Sequence, residues 1–129
     1  MVIGLDIDGT INRHPEFFAL LSDALMSAGH DVIVITFREN RKSATDDLIG
    51  WGIRFSKLVT WSFQDNPGDD MYEWKGRICD DMKVEVLFDD DPQVLCALRP
   101  KVLSMMVVDH ETHDLTRLSA DSGANGNSR

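Results

Sequence analysis

Cysteine is scarce in this 129-residue sequence, which has Cys79 and Cys96 and no others. One such pair offers no metal-ligand spacing, and a disulfide inside a cell is unusual. Both are therefore expected to be buried free thiols. Also lacking is any stretch near the ~20 uninterrupted apolar residues of a membrane-spanning helix. The amino terminus enters an apolar run at once and reaches Asp6, so it has no basic region of a secretory signal. A soluble, cytoplasmic protein with no membrane partner is the simplest expectation. Positive charge is short too: 13 Lys and Arg face 22 Asp and Glu, a formal net charge of −9. That balance argues against broad, sequence-independent binding to nucleic acid, where neutralising phosphates with Lys and Arg dominates affinity. It leaves room for a local basic patch.

What the chain does have is 43% hydrophobic residues in a length that suits one domain. Residues 2–7, 31–36, 57–61, 84–88 and 102–108 are short apolar runs that read as strands. Between them, 16–28, 43–51, 71–82 and 92–98 read as helices, with Pro15 and Gly29 suiting the ends of the first. The pattern over 71–82 is weak. The stretch 62–70, with Asn66-Pro67-Gly68, is a turn-rich loop. Strands that are continuous apolar runs and alternate with helices predict a parallel sheet with helices on both faces, a three-layer Rossmann-like α/β fold. Residues 1–109 are assigned to this domain. Residues 110–129 form a polar tail expected to be disordered. No internal repeat is seen.

In such sheets ligands bind beyond the carboxyl ends of the strands. Three strands end there in residues suited to phosphate chemistry: Asp6 and Asp8 after the first, Thr36 after the second, Asp89 and Asp90 after the fourth. Of the first pair, one carboxylate can attack phosphorus and the other can move protons. Gly9 permits a positive φ or a close backbone approach. An acidic turn is the plain alternative for Asp6, Asp8 and Gly9 alone. Asp89-Asp90-Asp91 shifts that balance, because Mg²⁺ takes oxygen ligands and one or two carboxylates, while acids this close without a cation raise one another's pKa. Asp91 reads more simply as the cap of the helix opened by Pro92. The Thr36 hydroxyl and the following amides are placed to bind a phosphate oxygen, and Lys75 can serve as a point charge for nucleophile and phosphate.

The set resembles the haloacid dehalogenase superfamily of phosphohydrolases. Its first motif, an apolar strand followed by Asp-x-Asp-Gly-Thr, matches Asp6-Ile7-Asp8-Gly9-Thr10; its second matches Val32 to Thr36. Lys75 is the best placed third-motif lysine, and Asp89-Asp90 match the fourth motif. The resemblance covers about residues 1–108 in the right order. It implies Asp6 as nucleophile and metal ligand, with Asp8 as general acid–base and its carbonyl on Mg²⁺. It further implies Asp89 as direct and Asp90 as indirect metal ligand, and Thr36 and Lys75 as phosphate-binding. Phe37 stands where many relatives have Gly, which leaves the role of Arg38 open.

The gaps from Thr10 to Thr36 and from Trp61 to Lys75 are too short for a cap domain, so the resemblance implies an open site. Such a site takes a large phosphorylated substrate or is closed by a neighbouring copy in a homo-oligomer. Arg13, His14, Trp61, Phe63 and Tyr72 lie in loops able to rim it, although Trp61 and Phe63 more simply cover the core. Three functions follow. A Mg²⁺-dependent phosphomonoesterase working through an aspartyl phosphate leads, with a nucleotide or polynucleotide-end phosphatase as its narrower form. A non-enzymatic metal-binding interaction module on the same fold is the rival, for which an intact Asp8 has no purpose. A response-regulator-like receiver places its acidic pair and phosphoacceptor on different strands and does not need Asp-x-Asp-Gly-Thr.

Overall fold

The computed structural model describes residues 1–111. Five parallel strands, β1 (Val2–Leu5), β2 (Asp31–Thr36), β3 (Lys57–Thr60), β4 (Val86–Asp89) and β5 (Leu103–Met106), lie in the order β3-β2-β1-β4-β5. Helices α1 (Pro15–Ser27) and α2 (Arg41–Gly50) pack on one face of the sheet. Helices α3 (Met71–Asp81) and α4 (Pro92–Cys96) pack on the other. This is the expected three-layer, Rossmann-like α/β fold. Among the described residues no helix is long and apolar enough to cross a membrane. Most of the expected polar tail, residues 112–129, lies outside the described residues.

The central strands form because their residues are mostly apolar, β-branched throughout Val32–Thr36, and packed on both faces of the sheet. Val32, Val34 and Leu5 join the core under α1 and α2, while Ile33 and Ile35 join that under α3 and α4. Helix starts are set by side chains that satisfy otherwise unpaired amides. Asn40 accepts the Ser43 N–H, Asp70 those of Tyr72 and Glu73, and Asp91 that of Gln93. Asp91 is thus a helix cap, as its sequence context suggests.

Two features depart from expectation. Cys79 is buried, and its thiol is pushed up to about 12 by that burial. Cys96, however, is exposed: α4 spans only Pro92–Cys96, and Val94 is the residue it buries. A helix this short has one inward position, so its last residue faces out. The second departure is β5, whose apolar run predicts a buried strand but whose four residues are all exposed. Among the described residues, α4 is the helix that meets β5.

Candidate active site

In strand order β1 and β4 are neighbours, while the chain leaves β1 toward β2. The carboxyl ends of β1 and β4 therefore mark the switch in winding direction where doubly wound sheets open a crevice. A pocket of about 410 Å³ lies there, lined by Asp6, Asp8, Phe37, Lys75, Asp89 and Asp90, with Asp91 and Pro92 at its side.

Asp6 follows β1 in extended conformation, and its N–H donates to the Phe88 carbonyl at 3.0 Å, tying the ends of the two strands together. The chain then turns sharply over Ile7–Ile11, with Gly9 at φ 85°. Only glycine suits this position for two reasons: its positive φ, and a Cβ there would sit 2.1 Å from Asp90 Oδ2. The turn buries Ile7, Thr10 and Ile11 and leaves Asp8 exposed. Thr10 Oγ1 donates to Asp6 Oδ2 at 3.3 Å.

Lys75 is fully buried, and its Nζ donates to Asp6 Oδ1 and Asp89 Oδ2, both at 2.8 Å. The Phe37 ring lies 4.5 Å from the same nitrogen, a cation–π contact on its remaining side. Helix α3 brings the lysine there by burying Trp74, Lys75, Gly76 and Cys79 on one face. Gly76 allows this, because a Cβ on it would meet the Ala97 carbonyl oxygen at 2.7 Å. Asp89 also accepts the Asp91 N–H on Oδ1 at 3.0 Å.

Burial pushes the Asp6 carboxyl up to about 7, with Lys75 opposing the rise and the charges of Asp89 and Asp90 adding to it. Burial works against the Lys75 ammonium as well, but Asp6 and Asp89 outweigh it and raise its pKa above the ordinary lysine value. The two shifts agree on the essential point: Lys75 stays charged, and an excess of buried negative charge remains around it. Asp90 is raised by partial burial and by Asp89.

That excess suits a cation. One carboxylate oxygen from each of Asp6, Asp89 and Asp90 lies within 4.8 Å of the others. The donors are all oxygen, the set a hard divalent ion such as Mg²⁺ prefers. The residues present fit the ion that the sequence suggests.

Asp8 is held elsewhere. Arg38 Nε and Nη2 donate to its two carboxylate oxygens at 2.9 and 2.8 Å, and Arg38 Nη1 donates to Asp47 Oδ2 at 2.7 Å. Both acids push the Arg38 pKa further up. Sequence reasoning left Arg38 without a role; its place two residues after Thr36, on the same sheet edge, was the available signal. Thr36 is buried at the end of β2, and its Oγ1 accepts the Arg38 N–H at 3.1 Å. It is not among the residues lining the pocket. Of the six residues singled out in the sequence, Asp6, Asp8, Lys75, Asp89 and Asp90 thus share one pocket, and Thr36 stands behind Arg38.

Of the rim candidates, Trp61 is buried, edge-on to Trp74 and Phe63 at 5.1 and 5.4 Å. Phe63 is exposed, contrary to the expectation that it covers the core. Its N–H donates to Glu39 Oε1, which fixes it above the loop after β2. Arg13 and His14 are not among the residues lining the pocket and pair with Asp109.

No protein-family model matches this sequence, and none of the curated proteins does. Solved structures similar in fold include two chains of Pnkp1/Rnl/Hen1 complexes. One is a chain of the Pnkp1/Rnl/Hen1 RNA repair complex, 21% identical with a TM-score of 0.66 over 82% of this chain and 42% of that chain. The other is a chain of a Pnkp1/Rnl/Hen1 complex, 22% identical with a TM-score of 0.66 over 82% of this chain and 45% of that chain. The protein spans less than half the length of these neighbours, and what it shares with them is the Rossmann-like α/β fold.

Proposed function

We propose that the protein is a Mg²⁺-dependent phosphomonoesterase of the haloacid dehalogenase type. The observation that carries this reading is the buried triad Asp6–Lys75–Asp89 beside Asp90, at the switch point of the sheet. A buried carboxylate held by a lysine and supported by two more acids suits attack on a phosphoryl group. A structural ion pair has no need of the third acid.

Asp6, Asp89 and Asp90 would hold the cation, with the Asp8 carbonyl as the sequence resemblance implies. When bound, Mg²⁺ neutralises charge on the phosphoryl oxygens. Lys75 adds a second fixed positive charge beside the nucleophile and keeps Asp6 aimed. Asp6 attacks phosphorus, forming the aspartyl phosphate as the bond to the leaving oxygen breaks, and Asp8 gives that oxygen a proton. Asp8 then takes a proton from water, whose oxygen attacks the same phosphorus and releases phosphate and the free Asp6 carboxylate. Thr36 and the amides after it are assigned to the phosphoryl oxygens. The pocket has no cap domain above it among the described residues, which favours a large substrate or an exposed phosphate.

The test is turnover of an aryl phosphate with Mg²⁺. Asp6→Asn is expected to abolish it while leaving circular dichroism unchanged. Full activity in that variant, or in excess chelator, sinks the proposal. Metal binding with no phosphate release from any phosphorylated compound favours the interaction module.

A narrower reading, a phosphate at the end of a nucleic-acid strand, draws on the neighbours from the RNA repair complex. The net charge of −9 weighs against it. Comparing a phosphorylated oligonucleotide with a small aryl phosphate separates the two.

A further inference from the structure

The chemistry assigned so far gives the Phe37 ring no purpose, yet Phe37 is the aromatic residue that lines the pocket. It stands between Thr36 and Arg38 at the end of β2, where the backbone is tied down on both sides. The Thr36 carbonyl accepts the Trp61 N–H at 3.0 Å, and the Thr36 hydroxyl accepts the Arg38 N–H at 3.1 Å. From α3, Tyr72 meets the ring in a T-shaped contact and Trp74 lies tilted by 42°, each with its centroid 6.1 Å away. Backbone and neighbours together fix where the ring sits.

What it faces is an ammonium shut off from water. A lysine carries three N–H donors. Two of those on Lys75 go to Asp6 and Asp89, and its side chain has no exposed surface. The ring centroid lies 4.5 Å from Nζ, within cation–π range. A π face is a weak acceptor for the third N–H and a poor rival to a carboxylate. It therefore favours the charge without drawing the nitrogen off the two acids. A small residue at this position would open that side of the ammonium to water or to a phosphate oxygen. A leucine would exclude both but offer no electron density.

We propose, on the phosphatase reading above, that Phe37 is a positioning residue: by closing the third side of the ammonium it keeps Lys75 on Asp6 and Asp89 and off the phosphoryl group. Lys75 then serves the nucleophile, and the phosphoryl oxygens are left to the loop after β2 and to the cation. Two successive residues of that loop hold the two ends of the site. Phe37 acts through Lys75 on Asp6, and Arg38 grips Asp8.

Mono-, di- and trifluorinated phenylalanine, placed at position 37 of the full chain by codon suppression, tests the proposal. Fluorine drains the π face with little change in ring size, so the fold is kept. On an aryl phosphate with Mg²⁺, kcat is expected to fall with each fluorine, by about 10-fold at the third, a share of what a desolvated cation–π contact is worth. KM should change little, because no Lys75 N–H is spent on the substrate. Phe37→Tyr keeps the ring face and should retain most of kcat, whereas Phe37→Leu should lose as much as the trifluorinated ring. A kcat that ignores fluorine number overturns the proposal. Stability in chelator gives an arm that needs no turnover. Phe37→Leu should cost more in a chain with Lys75 than in Lys75→Met, while plain packing costs the same in both. A protein without turnover in any form counts against the phosphatase reading instead, and equal losses in the two backgrounds then overturn the hold of Phe37 on Lys75.

Discussion

Arg38 grips both carboxylate oxygens of Asp8, at 2.8 and 2.9 Å, from a loop on the neighbouring strand. In this state both Asp8 oxygens accept hydrogen bonds from one guanidinium. Giving a proton to a leaving group requires Asp8 to come off that fork. Arg38 acts here as a positioning residue, itself braced by Asp47.

Arg38→Ala is expected to lower kcat by about 10- to 100-fold with little change in KM, as losses of supporting partners commonly do. Arg38→Lys should recover little, because an ammonium cannot reproduce a two-point fork. Steady-state kinetics on an aryl phosphate distinguishes these outcomes. Full recovery by lysine means that charge alone matters.

Lys75→Met removes the cation that both Asp6 and Asp89 face. Breaking a buried ion pair by deleting one partner costs about 3–5 kcal/mol, because the remaining charge is left uncompensated. Chemical denaturation in chelator should show a loss of this size. Added Mg²⁺ should return part of it, since the ion occupies the same negative surroundings. No loss in chelator contradicts the triad.

Asp6 gives a stability signature of its own. Its folded pKa of about 7 stands above the ordinary aspartate value of 3.8, so the folded protein holds more protons between those pH values. Stability in chelator should then fall as pH rises from about 4 to 7 on this account. Asp6→Asn should flatten that slope. Mg²⁺ prefers the ionised form, so its stabilising effect should grow over the same interval. Thermal denaturation with and without the ion measures both.

Gly9→Ala combines a positive φ with a Cβ that falls on Asp90. The backbone strain costs on the order of 1–3 kcal/mol. Displacing Asp90 should weaken Mg²⁺ binding beyond what lost stability explains. Calorimetric titration with Mg²⁺ checks it, and unchanged affinity would remove Asp90 from the metal site.

Much of this was legible because the buried strands are continuous apolar runs with polar residues at their ends. Asp6, Thr36 and Asp89 are visible in the sequence for that reason. The weak helical pattern over α3 has a physical cause: Lys75 and Gly76 occupy its buried face, where apolar residues belong. A residue that spoils the pattern there is the one the site uses. The fork between Arg38 and Asp8 joins two loops and leaves no periodic trace. The apolar run at β5 was misleading, since hydrophobicity predicts burial but does not say what provides it. Cys96 failed similarly, on the length of α4.

The hold of Arg41 on the Leu58 carbonyl limits how far this sheet can grow. A ribbon with two receptive sides adds copies without end and becomes a filament. A guanidinium at the start of α2 thus takes one backbone acceptor away from any strand that would add at β3, far from any chemistry.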